Sequence, residues 1–331
     1  MKPSTIIWIF TARCNLQCPH CYASIYVRDR ELDTNEKIRL IREMSEIGVE
    51  HIGLSGGEPL IHRDLPVILK EIFDHGMTIT MVTNGTIMNE HILDLLVKYD
   101  VYLYVSIDGP RDIHDRLRGP GVYDRVMKTV NALRNKGIEY ATIMAVGKHN
   151  YRYTSEYIDI ASRVNAEHAA LIPVMPVGRA YVNELWVNAS EYYSAMMKAI
   201  DRARETSYPV AFWCTPFLRL VSSYENSWTY YCRTMKTVDI GCSGELLPCD
   251  VLDIVISSAR VKGLRKALHE YYANPIIKNI VYPKNLPKKC MNCSLKDICR
   301  GGCYARSYIL RGGFNKGDPL CPIISNIKID Q

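Results

Sequence analysis

The sequence predicts an α/β protein, a largely parallel sheet wrapped by helices, followed by a smaller cysteine-rich region. Three observations carry that expectation. Short apolar runs alternate with amphipathic segments over the first two-thirds of the chain. Cysteine is confined there to a cluster near the start and becomes dense after residue 205. With 331 residues, 47% hydrophobic and 23% charged, the chain can bury a large core and form one large domain plus a smaller one, expected at 1–205 and 206–331.

The elements follow in order. Residues 6–11 read as a strand and 33–47 as a helix. There Asp33 and Glu36 have capping-box spacing, Ile38, Ile41 and Met44 line one face, and Gly48 can close the end. Strands at 51–55, 77–83, 101–107, 141–146 and 169–174 continue the series, with helices at 65–74, 89–98, 123–135, 154–164 and 189–204. Six strand–helix units in a row imply parallel pairing, because each return crosses over through a helix. Either an α/β barrel or a doubly wound sheet satisfies that rhythm. Beyond residue 205, 237–240 and 245–247 read as a small hairpin around Gly244.

Cys14, Cys18 and Cys21 place three thiols within eight residues. An iron–sulfur cube that only carries electrons takes four cysteines. Three leave one iron open, and an open position is where chemistry occurs. A disulfide framework fits poorly in a long chain without a secretory signal, and 6–10 is too short for a membrane span. A zinc site needs a fourth ligand, and His20 is the nearest candidate. In spacing and surroundings this cluster resembles the radical S-adenosylmethionine (SAM) family, in which SAM chelates the fourth iron. The resemblance selects a partial (β/α)6 barrel for the first domain and puts Tyr22 near the adenine.

Ligands of such sheets bind beyond the carboxyl ends of the strands, and further motifs fall there. Gly56-Gly57-Glu58-Pro59 follows the second strand and resembles the family's GGEP turn, which holds the SAM amino group. Two glycines permit close backbone approach, and Glu58 offers a carboxylate to an ammonium. Asn84, Ser106 and Asp108 end the third and fourth strands with small polar groups suited to ribose hydroxyls or the SAM carboxylate; helix capping is their competing role. Arg179 is a candidate fork for that carboxylate. His62, His114 and Asp115 are expected as solvated loop residues.

In the last third, Cys232, Cys249, Cys290, Cys293, Cys299, Cys303 and Cys321 have the order and spacing of the SPASM extension of radical SAM enzymes. That resemblance implies two auxiliary [4Fe-4S] clusters. Cys290, Cys293, Cys299 and Cys321 would hold the outer one, and Cys232, Cys249 and Cys303 the inner one. Cys242 is the expected fourth inner ligand, carried near Cys249 by the hairpin, and Cys214 is left as a buried apolar cysteine. A four-cysteine zinc knuckle is the competing reading for 290–303. Asp250, directly after Cys249, sits where sulfatase-maturating relatives place a carboxylate base.

The resemblance implies an enzyme that reductively cleaves SAM to a 5′-deoxyadenosyl radical and oxidatively modifies a peptide, protein or cofactor precursor. A [4Fe-4S] cluster binds SAM, and the auxiliary clusters accept an electron. A low-potential donor, ferredoxin or flavodoxin, is the expected partner. No peptide-recognition domain has room before Cys14, which favours a maturase without one or a compact heme- or tungsten/molybdenum-cofactor enzyme. A non-catalytic iron–sulfur electron carrier is the alternative of another class. The formal net charge of +6 reads as spread along the chain without a long basic run, so no nucleic-acid partner is expected. No membrane association is expected, and the location is cytoplasmic. Twenty-two Tyr against five Phe has no functional explanation at this level.

Overall fold

The computed structural model describes residues 2–28 and 30–329, with the side chain of Arg28 left aside. Its first six strands are β1 (Thr5–Thr11), β2 (His51–Gly56), β3 (Thr78–Thr83), β4 (Val101–Ser106), β5 (Tyr140–Val146) and β6 (Ala169–Pro173). They pair in sequence order, each parallel to the next. The crossovers run through α1 (Thr34–Glu46), α2 (Leu65–Asp74), α3 (Glu90–Lys98), α4 (Arg111–Arg118), α5 (Val122–Lys136) and α6 (Thr154–Arg163), and α7 (Gly178–Val182) and α8 (Ala189–Glu205) follow β6. This is the parallel α/β architecture expected. The start of α1 carries the full capping box, Asp33 accepting from Glu36 N and Glu36 accepting from Asp33 N.

Alternation along the strands separates two faces. Trp8, Phe10, Ile52, Leu54, Ile79, Met81, Leu103 and Val105 point to the helices and are buried there. Each such burial contributes about 1.5–3 kcal/mol, so this layer dominates stability. The opposite face carries Gly53, Thr80, Tyr102 and Tyr104, and then Ile143, Ala170, Ala211 and Trp228 in register across β5 to the far edge.

The expected boundary at 205 falls between strands of one sheet. After α8 come β7 (Val210–Phe212), β8 (Ser227–Thr229), β9 (Thr237–Ile240), β10 (Glu245–Leu247) and β11 (Ser257–Ser258). The sheet order is β11-β10-β9-β1-β2-β3-β4-β5-β6-β7-β8. The last third therefore extends both edges: β7 and β8 add beside β6, while β9 pairs parallel with β1, from Thr5↔Thr237 to Trp8↔Ile240.

The tyrosine excess has a structural reason. Many hydroxyls donate to backbone carbonyls of distant segments: Tyr157 to Ala170 (2.9 Å), Tyr224 to Tyr208 (3.1 Å), Tyr272 to Met235 (3.0 Å) and Tyr304 to Pro248 (2.6 Å). Each ring packs like a Phe while its hydroxyl donates to a backbone carbonyl, a net gain near 1 kcal/mol apiece. Among the described residues no helix is long and apolar enough to cross a membrane.

His114, read from sequence as a loop residue, is fully buried on α4, where its Nδ1 accepts from Asp108 N at 3.1 Å. Burial pushes its pKa from 6.5 down to about 4, and the Arg118 charge adds to the shift. The unfolded chain binds this proton more readily, so its contribution to stability is present above about pH 6.5 and is lost as pH falls toward 4. Urea unfolding of the wild type should therefore weaken on acidification through that window. His114→Asn, which keeps the acceptor and cannot titrate, should flatten the dependence by up to about 1.4 kcal/mol per pH unit.

Candidate functional site

β1 ends at Thr11, and the loop beyond it carries Cys14, Cys18 and Cys21. The loop is tied down from several sides. Glu31 Oε1 accepts from Thr11 Oγ1 (2.9 Å) and from Ala12 N (2.8 Å). Arg179, in α7, donates from Nε to Cys18 O at 2.8 Å, and its own N–H reaches Ser24 Oγ at 2.9 Å. The guanidinium expected to fork a SAM carboxylate thus clamps the cysteine loop through its Nε. Burial raises the pKa values of Cys14 and Cys18, the latter to about 11, and neighbouring thiols add to the shift. Bound metal is what turns such thiols into thiolates. Three sulfur donors suit an iron–sulfur cluster with one open iron. His20, the fourth zinc ligand considered from sequence, has its Nε2 3.5 Å from Asp108 Oδ2, so that ring nitrogen faces a carboxylate.

Gly56 and Gly57 do approach something closely, and it is backbone. A Cβ on Gly56 would stand 2.4 Å from Thr11 O, and one on Gly57 2.0 Å from Arg13 O. The turn is laced to the cysteine loop by Gly57 N to Thr11 O (2.7 Å) and Glu58 N to Arg13 O (2.8 Å). Glu58 is fully buried. Its oxygens accept from Thr83 Oγ1 (2.8 Å), Leu60 N (3.1 Å) and Asn84 N (2.7 Å), so the carboxylate organises strand ends instead of meeting an ammonium. Burial outweighs those donors and raises its pKa to about 6. Pro59 opens a short 3-10 helix that Glu58 caps.

The third and fourth strand ends divide. Asn84 Nδ2 donates to Asn15 Oδ1 (2.9 Å) and lies 3.8 Å from Cys14 Sγ, which keeps it beside the cysteine loop. Ser106 ends β4 on the inner face, level with Ile143. Asp108 is withdrawn. It is fully buried, with Oδ2 taking Arg118 Nε (2.6 Å) and Oδ1 taking Ala145 N (2.9 Å). It is a structural anchor for β5 and, through His20, for the cysteine loop. Arg118 holds its pKa down to about 2 against burial. His62 packs on Phe10 with ring centroids 4.7 Å apart and approaches the buried Lys37 (Nε2···Nζ 2.8 Å). Asp115 accepts from Gly121 N and Tyr123 N, a capping role.

Tyr22 faces the last third of the chain: its hydroxyl donates to Asp250 Oδ2 at 2.8 Å and lies 3.4 Å from Ser55 Oγ. Tyr26 donates to Asp250 O at 2.5 Å. Asp250 N in turn donates to Asp239 Oδ2 at 2.7 Å, and ligand atoms of Asp239, Cys249 and Asp250 lie within 4.8 Å of one another. Burial raises the pKa of both carboxyls, and their mutual repulsion adds to that of Asp239. Asp239 was missed in the sequence; its only signal was a charge inside a short apolar strand.

The remaining cysteines gather in two sets. Cys290, Cys293, Cys299 and Cys321 line one cavity, the grouping expected for the outer cluster. Cys214, Cys232, Cys249 and Cys303 line a second. Here the expectation about Cys242 gives way. It is fully buried in a small cluster with Ile9, Tyr26 and Leu247, at the tip of the β9–β10 hairpin. Asp239 pairs with Leu247, so Cys249 lies beside Asp239, three residues or roughly 10 Å down the hairpin from Cys242. Cys214 takes the fourth place, held in a left-handed conformation at φ 52° with its carbonyl accepting from Arg306 Nη2 at 2.9 Å. Arg306 also pairs with Asp318 at 2.7 Å, and Asp318 accepts from Cys303 N at 2.9 Å, so one buried ion pair positions two members of the set.

Arg118 supplies a clean test of how the first loop is held. Arg118→Met leaves Asp108 buried without its cation and should cost about 3–5 kcal/mol. Adding Asp108→Asn should recover much of that loss in urea unfolding; a double variant as unstable as the single one would show that Arg118 acts by packing alone.

Comparison with known proteins agrees with this geometry. The model of the Radical SAM superfamily matches residues 8–161. An AdoMet-dependent heme synthase of Methanosarcina barkeri is 27% identical over 96% of this chain and 96% of its own. A PqqA peptide cyclase of Granulibacter bethesdensis is 22% identical over 97% of this chain and 87% of its own. The structure of Streptococcus suis SuiB bound to its precursor peptide SuiA superposes with a TM-score of 0.75 at 18% identity, covering 97% of this chain and 76% of that one, a likeness of fold. With three thiols at the carboxyl end of the first strand of a parallel α/β sheet, residues 8–161 carry a radical SAM domain, a family that implies S-adenosylmethionine and a [4Fe-4S] cluster.

Proposed function

We propose that this enzyme cleaves SAM reductively and uses the resulting radical to oxidise a substrate held on the inner face of the sheet, with two further [4Fe-4S] clusters accepting an electron. The observation that carries this reading is the position of Asp250, which touches Tyr22 next to Cys21 and follows Cys249 of the inner cysteine set. Cys14, Cys18 and Cys21 would hold the SAM-binding cluster. Cys214, Cys232, Cys249 and Cys303 would hold the inner auxiliary cluster, and Cys290, Cys293, Cys299 and Cys321 the outer one. When bound, the first cluster and SAM supply one-electron cleavage to methionine and a 5′-deoxyadenosyl radical that abstracts hydrogen. A ferredoxin- or flavodoxin-type donor would deliver that electron.

The chain's own residues do the rest. Gly56, Gly57 and Pro59 shape the turn against the cysteine loop, and Asn84 and Ser106 offer polar groups at strand ends beside it. Asp250 takes the proton that the substrate releases, and Asp239 holds its backbone in place. Four thiols around the inner set leave no iron for substrate to ligate, so substrate binds by shape and polar contact.

For the substrate, a planar cofactor precursor is the first reading. Tyr104, Trp213 and Trp228 share the inner face, with Tyr104 and Trp213 rings 4.8 Å apart, and the full-length similarity to a heme synthase points the same way. A peptide is the second reading, supported by the peptide cyclase and peptide-bound SuiB likenesses. Titration with an iron porphyrin should quench tryptophan fluorescence, and Trp213→Ala should weaken binding about tenfold, as loss of one aromatic contact implies. No quenching would turn the search to peptides.

Anaerobic reconstitution should yield about twelve irons, and dithionite with SAM should release 5′-deoxyadenosine. Cys14→Ala should retain about eight irons and release none, Cys214→Ala should lose iron, and Cys242→Ala should keep about twelve. Twelve irons in Cys214→Ala would sink the inner ligand assignment. Asp250→Asn should leave SAM cleavage intact and slow substrate turnover about 100-fold or more.

A further inference from the structure

Charge in this protein is not spread evenly along the chain, contrary to the first reading of its sequence. Residues 282–329 hold nine Lys and Arg against two Asp, whereas the whole chain holds 41 against 35. The excess positive charge lies in this one segment. Arg306 and Asp318 are buried on each other at 2.7 Å. Lys284, Lys288, Lys289, Lys296, Arg311 and Lys316 are exposed, and among the described residues none of them forms an ion pair. Asp297 is the only acidic side chain left at the surface of the segment.

The segment encloses the outer cysteine set. Lys289 and Lys296 line the same cavity as Cys290, Cys293, Cys299 and Cys321, and the Arg311 charge acts on the Cys290 thiol. Lys284 and Lys316 adjoin: Asn315 Nδ2 donates to Lys284 O at 3.1 Å, and Gly317 sits against Pro287, next to Lys288. Exposed apolar side chains stand among these cations, Tyr282 at 65%, Met291 at 55% and Ile298 at 50%. Exposed apolar side chains interspersed with uncompensated cations give the segment the composition of a transient protein interface, in which charge steers the encounter and apolar contact excludes water.

We infer that this face docks a small acidic one-electron carrier protein, which receives from the outer set the electron given up by the substrate. The inference rests on the proposed auxiliary clusters. Per turnover the docked carrier is reduced by one electron, the substrate radical is oxidised by one, and no atom passes between the proteins. The carrier is reoxidised after it leaves. Cys290, Cys293 and Cys299 sit on or beside the short helices that carry Lys288, Lys289 and Lys296, so the contact would lie within a few residues of the cluster ligands.

The test is binding of an oxidised acidic flavodoxin to the iron-loaded enzyme, measured by anisotropy over a range of salt. Affinity should fall steeply with ionic strength. Lys284→Glu/Lys288→Glu/Lys316→Glu should weaken it about tenfold or more at low salt, with iron content and dithionite-driven SAM cleavage unchanged. Arg125→Glu/Lys128→Glu/Lys266→Glu, the same charge change elsewhere on the surface, should alter it by less than about twofold. Equal weakening by both triples, or none by the first, would overturn the docking face, as would tighter binding of a single-stranded RNA oligomer at the same face. If the first triple loses iron, Lys288→Glu alone should still weaken binding about threefold, and no change would overturn the proposal. An iron count near four in the unaltered enzyme would instead sink the auxiliary-cluster reading, while the binding comparison would still decide the face.

Discussion

The parallel pairing of β1 with β9 is the constraint on which the candidate site depends. It joins β1 to a segment more than 200 residues later, with Ile6 opposite Val238, and carries the register through Trp8↔Ile240. The loop after β1 holds the first three cysteines. The hairpin begun by β9 returns with Cys249 and Asp250. Both emerge at one edge of the same inner face, which is why Tyr22 and Tyr26, just beyond Cys21, can reach Asp250 across the join. Backbone hydrogen bonds set this arrangement, and the side-chain contacts follow from it.

Two buried ion pairs then position the cysteine-bearing loops. Arg118–Asp108 ties α4 to the end of β4 and meets the first loop through His20. Arg306–Asp318 does the same for the inner set through Cys214 O and Cys303 N. Buried pairs are poor sources of net stability because desolvation offsets attraction. Their value here is geometric. A fork of directed donors holds a carboxylate in one orientation, and the carboxylate holds a backbone amide, so loops without regular structure keep one shape. The thiols nearby are raised by burial, which leaves metal binding to supply the energy that ionises them.

Hydrophobic periodicity made the six strand–helix units legible, and element bounds agree within a few residues because period-2 and period-3.6 patterns are local properties. Cysteine spacing made the first loop legible for the same reason: Cys14 to Cys21 is a short segment whose geometry the chain length itself limits. The reading failed where a residue's neighbour is distant. Glu58 and Asp108 have the chemistry to hold a ligand, and nothing local reveals that Thr83 and Ala145 donate to them.

Cys214 and Cys242 show the division most plainly. By position in the chain Cys242 lies between Cys232 and Cys249 and was the natural fourth member; in space it sits at a hairpin tip beneath Tyr26. Cys214 follows β7, at the opposite edge of the sheet from β9, and reaches the inner set because Arg306 holds its carbonyl in a left-handed turn. The sequence by itself determined the fold class, the three-thiol loop and the supply of sulfur ligands, all consequences of composition and short-range spacing. Which thiols meet and which carboxylates stay open were decided only by tertiary structure, because pairing between distant strands leaves no periodic trace in the chain.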